Sequence, residues 1–138
     1  AFLRPRPRVR LGALLGRNRA ATSCIDLSDG LADGLHQIAA SSGAGVEVDG
    51  RAVPILPAAS AWFEARGKDP LLEAAAGGDD YELLFTVGPK GRGAFSAVRR
   101  QAGGVRLTRI GVVRAGSGVS LRRGGAAEPL PSGFEHFQ

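Results

Sequence analysis

Apolar residues recur along the chain at two spacings, and together they predict a domain that contains both helices and strands. Leu31, Leu35 and Ile38 repeat at helical spacing, whereas Leu83 and Phe85 lie two positions apart on one face of a strand. Helices and strands follow each other in turn, which favours a mixed β-sheet covered by helices. The predicted helices span residues 8–17, 29–42, 58–66, 69–76 and 93–101, and the predicted strands span 20–25, 46–49, 81–87, 105–113 and 119–122.

The same patterns assign several residues to the interior. We expect Trp62 and Phe63 to bury a helix against the sheet, and Tyr81 to face the core from its strand. Cys24 lies in an apolar strand, where we expect a small hydrophobic residue without a chemical role. His36 lies one helical step away from the apolar stripe, which indicates a surface or boundary position.

Composition excludes several classes of protein. A hydrophobic content of 43% excludes intrinsic disorder, and no stretch approaches the roughly 20 apolar residues of a membrane-spanning helix. The single cysteine excludes an internal disulfide framework and a paired-cysteine metal site. The first residues lack the apolar core of a signal peptide. We therefore expect a cytoplasmic protein without a membrane partner.

Charge is distributed unevenly along the chain, although the net charge is only +5. Residues 1–25 contain six arginines and no acidic residue, residues 26–82 contain eleven acidic and three basic residues, and residues 83–138 are again basic. The basic ends fit either ordinary solvated arginines or a nucleic-acid-binding module. Because the middle is acidic, a uniform nucleic-acid surface is disfavoured, and we expect no nucleic-acid partner.

The beginning of the chain has the features of a connecting segment. The stretch LRPRPRVRLG is rich in Pro and Arg, and the sequence starts at Ala1 and contains no methionine. We predict that residues 1–19 are an interdomain linker or lead-in, which either packs down locally or forms the short helix at 8–17. Residues 20–138 are then the domain itself, and we expect an N-terminal partner domain before it.

Acidic residues are concentrated at the ends of two predicted strands. Asp26 ends one strand and is followed by Ser28 and Asp29 before a helix, while Asp79 and Asp80 occupy a Gly-Gly turn that enters another strand. The simplest interpretation is that Ser28 or Asp29 caps the helix. If the carboxylates instead converge, each pair near 4 Å repels by about 4 kcal/mol, which exceeds the stabilisation from one cap. A divalent cation offsets that repulsion, and Mg²⁺ prefers hard oxygen ligands of this kind together with phosphate oxygens.

Three stretches, IDLSDGLADGLHQIA, GGDDYELLF and the closing GFEHF, occur in this order. Together they resemble the thiamine-monophosphate kinase family, in the C-terminal half of its members, which belongs to the PurM/AIR synthase-related superfamily. The resemblance implies an α+β fold, a three-layer α/β/α sandwich with a mixed β-sheet of the PurM C-terminal-domain type. It also implies an N-terminal domain that pairs to form a homodimer and supplies most of the nucleotide and metal site.

The resemblance further implies a reaction and roles for individual residues. The expected reaction transfers the γ-phosphoryl group of ATP, the co-substrate, to thiamine monophosphate. Asp26 and Asp29 are implied Mg²⁺ ligands, Ser28 an implied ATP contact, and Asp79 and Phe134 implied contacts to thiamine phosphate. No side chain of this chain is expected to act as a catalytic base, because the acceptor phosphate is already mostly ionised at neutral pH. The family has Glu where this sequence has Asp79, which shortens the reach of that carboxylate.

Two alternatives to this kinase stay open at the level of sequence. One is another ATP-dependent enzyme of the PurM superfamily, of the selenophosphate synthase type, and the other is the basic nucleic-acid-binding module. For either enzyme, half of the active site comes from the N-terminal domain. We therefore expect these 138 residues alone to fold but not to catalyse.

Overall fold

Helices and strands are interleaved along the chain, as its periodicity predicts, and the last three elements are all strands. The computed structural model describes residues 6–132, and the predicted α+β class is confirmed. None of the helices in this range is long and apolar enough to cross a lipid bilayer. The elements, in chain order, are α1 (Val9–Arg17), β1 (Ser23–Asp26), α2 (Leu31–Ser42), β2 (Gly45–Asp49), α3 (Pro57–Glu64), α4 (Pro70–Ala76), β3 (Leu83–Thr86), α5 (Arg92–Gln101), β4 (Gly111–Arg114), β5 (Val119–Arg122) and β6 (Ala127–Pro129).

The described strands form two sheets. A two-stranded antiparallel ribbon pairs β1 with β3, so that Asp26, at the end of β1, lies opposite Leu83 at the start of β3. The second sheet has the order β4-β2-β5-β6 and is mixed, because β2 and β5 are parallel while the outer pairs are antiparallel. The predicted mixed β-sheet is therefore present, and the ribbon stands beside it.

Helix α2 packs against both sheets and is the centre of the main core. At Gly34 the helix comes so close to the ribbon that an added Cβ would lie 2.9 Å from the Leu27 side chain and 3.4 Å from that of Leu84. Leu35 and Ala39 of the same helix belong to one buried cluster with the apolar face of the mixed sheet. That face is formed by Val46, Val48, Val119 and Leu121.

A second core covers the opposite face of the ribbon. Leu11 and Leu15 of α1 pack with Val98 and Ala102 of α5, and this cluster extends to the side chains of β3. The ribbon is therefore covered by α1 and α5 on one face and by α2 on the other, which gives three layers. Residues 9–17 are packed as part of this domain, while the boundary at residue 19 stays a prediction.

Three aromatic or strand assignments made from the pattern are wrong. Tyr81 lies outside β3 with 42% of its surface exposed, because the alternation that predicts strand 81–87 begins in a loop. Trp62 is 51% exposed on α3, where the Arg66 guanidinium stacks on its ring at 3.8 Å. Residues 105–110 form no regular strand, so that β4 begins only at Gly111. Strand β6, which is short and exposed, is absent from the predicted strands.

Two loops meet through their backbones at one end of the ribbon. The loop after β1 ends at Gly30, whose φ of 99° favours glycine. A Cβ added there would lie 2.5 Å from the Gly77 carbonyl oxygen, and one added at Gly78 would lie 2.6 Å from the Ser28 carbonyl oxygen. Only residues without a side chain allow this approach, so these glycines hold the two acid-bearing loops together.

We expect Gly78→Ala to destabilise the fold by about 1–3 kcal/mol, because the new methyl group overlaps the Ser28 carbonyl. The matched control is Gly93→Ala in α5, where an added Cβ meets no atom within 4 Å. This control is expected to be neutral or to stabilise the helix by up to about 1 kcal/mol. Urea unfolding of both variants measures the difference, and equal effects would show that the two loops are not in contact.

Asp69 is the side chain that caps a helix in this structure. Its Oδ1 accepts hydrogen bonds from the backbone N–H groups of Leu71 at 2.9 Å and Leu72 at 3.2 Å, and its other oxygen accepts one from Arg123. Burial raises the pKa of the carboxyl, but these bonds to Arg123, Leu72 and Leu71 outweigh it and hold the pKa of Asp69 below its usual value. The charged form therefore stabilises the folded protein.

We expect Asp69→Ala to cost about 1 kcal/mol through the lost cap, and Asp69→Asn to cost less at pH 7 because an oxygen acceptor remains. The folded pKa lies below the unfolded value of about 3.9, so the stabilisation by the charge is complete above that pH. It is lost as the pH falls through the folded pKa. Unfolding curves recorded from pH 7 into strong acid should therefore converge for wild type and Asp69→Asn, and a constant gap would contradict the assignment.

Candidate functional site

The loop after β1 carries three of the predicted site residues on an exposed edge. Asp26 is the last residue of β1, and Ser28 and Asp29 follow before α2 begins at Leu31. The residue at the N-cap is Gly30, and no side chain caps this helix, so the interpretation of Ser28 or Asp29 as a cap is wrong. Asp26 and Asp29 are both exposed, and within residues 6–132 neither forms an ion pair.

The Gly-Gly-Asp-Asp loop lies directly beside this edge. The backbone N–H of Asp79 donates to the Ser28 carbonyl at 2.8 Å, and the N–H of Leu27 donates to the Glu82 carbonyl at 2.9 Å. These two hydrogen bonds, together with the glycine contacts, fix the backbone of Asp79 next to that of Ser28. The two motifs, which are some fifty residues apart in sequence, therefore lie side by side at one end of the antiparallel ribbon, a convergence that the sequence left open.

Acidic groups crowd the second loop. Asp80 is exposed overall, yet the protein atoms around its carboxyl displace enough water to raise its pKa, and the charges of Glu82 and Asp79 add to this effect. A carboxyl with a raised pKa is held in an unfavourable environment for its negative charge. The loop therefore favours a neighbouring cation.

The carboxylates do not by themselves complete a metal cage. Within residues 6–132, no three His, Cys, Asp or Glu side chains stand close enough to hold one ion. Asp26 and Asp29 nevertheless offer exposed, unpaired carboxylate oxygens three positions apart. Mg²⁺ commonly uses one or two carboxylates and takes its remaining ligands from phosphate and water. Two exposed carboxylates of this kind fit the protein contribution to a Mg²⁺ site.

Backbone strain is concentrated in the same loop. Asp79 has φ of 65° and Tyr81 has φ of 51°, both in the left-handed region. Asp enters this region more readily than most residues, but for an aromatic residue it is uncommon. Such conformations cost of order 1–3 kcal/mol each and persist only where surrounding contacts enforce them. The strain thus marks the loop as a segment held in place by its neighbours.

Two long-range side-chain contacts at the site were missed by the sequence analysis. Arg8, in the Pro/Arg-rich lead-in, donates from Nε and Nη2 to the two carboxylate oxygens of Glu82 at 2.9 and 2.6 Å. The half-buried His36 of α2 contacts the Leu130 carbonyl through Nε2 at 2.9 Å. Neither pairing leaves a signal in the sequence, because the partners are 74 and 94 positions apart.

An open groove of about 360 Å³ adjoins the Gly-Gly-Asp-Asp loop at Gly77. Its walls are mostly apolar and come from α2, α3, α4 and the chain after β6. Among them are Phe63, Leu72, Leu130 and Pro131. Phe134, the predicted aromatic contact, lies outside the described residues.

Cys24 is exposed on β1, which corrects its assignment to the interior. Its neighbours partly shield the thiol from water, which raises the pKa, and the charge of Asp26 raises it further. The thiol therefore stays protonated at neutral pH, and a protonated thiol is a poor nucleophile. The protonated thiol agrees with the prediction that Cys24 has no chemical role, which stays a prediction.

The chain is similar in sequence to curated thiamine-monophosphate kinases. The one from Rhodopirellula baltica is 35% identical over 136 residues, which cover 97% of this chain and 42% of the relative. The one from Escherichia coli K12 is 38% identical over 137 residues, 98% of this chain and 41% of the relative. The chain thus spans about two fifths of the length of these relatives.

Solved structures show the same fold. The crystal structure of thiamine-monophosphate kinase from Stenotrophomonas maltophilia K279a has 41% sequence identity and a TM-score of 0.70, covering 86% of this chain and 36% of that one. AaThiL complexed with AMPPCP and TMP has 30% identity and a TM-score of 0.62, covering 85% and 34%. Escherichia coli HypE, a hydrogenase maturation protein, has 25% identity and a TM-score of 0.71, covering 89% and 39%.

The family resemblance recognised in the three sequence stretches is confirmed by these comparisons. Residues 2–124 match the family described as AIR synthase related protein, C-terminal domain. This match covers most of the chain and includes both acid-bearing loops. The chain therefore belongs to the AIR synthase related proteins and contains their C-terminal domain.

Proposed function

We propose that this chain is the C-terminal half of an ATP-dependent kinase that converts thiamine monophosphate to thiamine diphosphate in the cytoplasm. The other half is an N-terminal domain, which pairs to form a homodimer and supplies most of the nucleotide site. Two relatives that carry the name of this kinase are 35% and 38% identical to the chain, and one structurally similar protein is complexed with AMPPCP and TMP.

The observation that carries the proposal is the backbone contact between the two acidic loops. It places Ser28 within one hydrogen bond of Asp79. Transfer between two phosphates requires that both be held close together although each is strongly negative, so positioning and charge neutralisation are the main tasks of the protein. A site that combines exposed carboxylates from one loop with a substrate-facing carboxylate from the next suits that task.

On the nucleotide side, we assign Asp26 and Asp29 as ligands of Mg²⁺ and Ser28 as a contact to ATP. Both carboxylates are exposed and form no ion pair within the described chain, so they are available to a metal. Bound Mg²⁺ neutralises phosphate charge and aligns the reacting groups. The hydroxyl of Ser28, half-buried between the two aspartates, is able to donate a hydrogen bond to a phosphate oxygen.

On the acceptor side, we assign Asp79 and Phe134 as contacts to thiamine phosphate. A carboxylate and an aromatic face are suitable partners for the cationic thiazolium ring. The apolar groove beside Gly77 lies next to the Asp79 loop and has room for a flat ring. The acceptor phosphate is mostly ionised near neutral pH and needs no general base from this chain.

A second candidate reaction has one observation in its favour. The fold of HypE fits this chain with a TM-score of 0.71, and the thiamine-monophosphate kinase from Stenotrophomonas maltophilia fits equally well with 0.70. Fold similarity alone therefore does not separate a thiamine phosphate kinase from another ATP-dependent enzyme of the superfamily. An ADP-release assay with different candidate acceptors decides between the two reactions. ADP release with thiamine monophosphate favours the kinase, and ADP release only with another acceptor favours the other enzyme.

The direct test uses a chimera, in which this chain replaces the corresponding part of the Stenotrophomonas maltophilia enzyme. We expect Mg²⁺-dependent formation of thiamine diphosphate by the chimera and none by the 138 residues alone. Asp29→Asn should lower kcat at least about a hundredfold, because the loss of a charged metal ligand removes several kcal/mol of phosphate neutralisation.

The matched control is Asp33→Asn, which neutralises a carboxylate one turn into α2 that is hydrogen-bonded by Gln37. This variant should retain wild-type activity. A folded, dimeric chimera that binds ATP but forms no thiamine diphosphate refutes the proposed function. Wild-type activity in Asp29→Asn refutes the metal assignment alone.

Asp79→Glu tests the departure from the family pattern. The additional methylene restores the reach of the usual Glu, so we expect the KM for thiamine monophosphate to fall severalfold while the KM for ATP is unchanged. Asp79→Asn keeps the length but removes the charge and should raise the same KM by about tenfold, the value of one charge-assisted hydrogen bond. Steady-state kinetics of the chimera measure both effects, and equal shifts in both KM values would contradict the substrate assignment.

A further inference from the structure

Arg8 forms a bidentate ion pair with Glu82, 74 positions later in the sequence. Nε donates to Oε2 at 2.9 Å and Nη2 donates to Oε1 at 2.6 Å, so that both carboxylate oxygens are engaged. The pair is half-buried, with 28% of the Arg8 side chain and 47% of the Glu82 side chain exposed. Bidentate pairs of this kind fix orientation as well as charge. The pair is still partly open to water, which limits its contribution to the free energy of unfolding.

Glu82 is the residue at which the acidic loop ends. Its carbonyl accepts the hydrogen bond from Leu27, and the N–H of Asp79 donates to Ser28, so the loop is fastened at both ends to the neighbouring one. Asp79 forms the first of these attachments and Tyr81 lies between the two, and both residues have a positive φ. The backbone of Glu82 therefore ties down the strained segment at its C-terminal end, and Arg8 holds the side chain of the same residue.

Arg8 also sets the charge around this loop. Asp79, Asp80 and Glu82 bring three acidic groups into four consecutive positions. Within residues 6–132, Glu82 alone among these three forms an ion pair, and its partner is Arg8. Without that guanidinium, the Glu82 carboxylate repels its acidic neighbours, and the loop is free to open and relieve both the repulsion and the backbone strain.

We propose that Arg8 is a positioning residue, which acts through Glu82 to hold the Gly78–Glu82 loop in the conformation that presents Asp79 to the acceptor substrate. This inference rests on the proposed function for the identity of the substrate. It adds a residue from the lead-in segment, outside both acidic motifs, and it assigns the Arg8–Glu82 pair to the acceptor side of the site and not to the nucleotide side.

The test compares Arg8→Ala, Arg8→Lys, Glu82→Gln and the double variant Arg8→Ala/Glu82→Gln in the chimera. The control is Arg114→Ala, which removes an arginine from a similar ion pair with Glu47 in the mixed sheet. Steady-state kinetics give both KM values and kcat. Amide hydrogen exchange at Asp79 and Leu27, the two N–H donors that tie the loops together, reports the loop conformation without requiring any activity.

We expect Arg8→Ala to raise the KM for thiamine monophosphate by about tenfold and the KM for ATP by less than about twofold. Arg8→Lys should give an intermediate rise, because Lys keeps the charge but not the two-pronged geometry. The double variant should be no worse than Arg8→Ala alone, since both changes break one interaction. Exchange at Asp79 and Leu27 should become faster in Arg8→Ala but not in Arg114→Ala.

Unchanged exchange at these two amides in Arg8→Ala overturns the inference, whatever the activity of the chimera. Equal changes in both KM values, or an additive double variant, overturn it as well, because they indicate a general loss of structure or an effect that bypasses Glu82. An inactive chimera with faster exchange in Arg8→Ala refutes the proposed function but leaves the positioning of the loop by Arg8 supported.

Discussion

The site depends on one steric constraint, which is the contact between two backbones at glycine positions. Gly30 faces the Gly77 carbonyl and Gly78 faces the Ser28 carbonyl, at distances that exclude any Cβ atom. This contact brings together two loops from different parts of the sequence and sets where α2 begins. The hydrogen bond from Asp79 to Ser28 forms only because the backbones approach so closely. The positions of the acidic side chains thus depend on a backbone contact that is possible only where glycine lacks a side chain.

The constraint has an electrostatic cost that the domain only partly offsets. Acidic groups from both loops lie at one edge, and the pKa of Asp80 is raised by burial and by its acidic neighbours. Arg8 neutralises one of these groups, Glu82, while Asp26 and Asp29 stay exposed without an ion pair in the described chain. The negative charge at this edge therefore exceeds what the ion pair with Arg8 neutralises.

Sequence patterns predict most of this fold because local periodicity reflects which face of each element is buried. The helices α1, α2, α4 and α5 and the strands β2 and β5 lie within a few residues of their predicted bounds. Errors occur where periodicity continues beyond the element, as at Tyr81, or where a helix packs on few neighbours, as at Trp62. Strand β6 was missed because it is three residues long and exposed, so it has no buried face to produce a pattern.

The candidate site is predictable only in part, for a different reason. Short motifs identify the family and make Asp26, Asp29 and Asp79 candidates for the site, since the types of residue and their order are visible in the sequence. The pairing of Arg8 with Glu82 and the absence of a side-chain cap on α2 are properties of three-dimensional geometry. A capping residue and a metal ligand have the same sequence signature, and the structure excludes the cap on α2, while the metal role of Asp26 and Asp29 stays a prediction.

The first two turns of helix α2 also fix the distance and the rotation between two parts of the molecule. Its first turn begins at Gly30 against the acidic loops, and His36, less than two turns later, is joined to the Leu130 carbonyl where the chain leaves β6. One residue inserted or deleted between these points would rotate everything beyond it by about 100° and displace it by about 1.5 Å along the axis. A change in the number of residues in this stretch would therefore break the alignment between the acidic loops and the chain after β6, whereas a substitution on the exposed side of the helix would leave it in place.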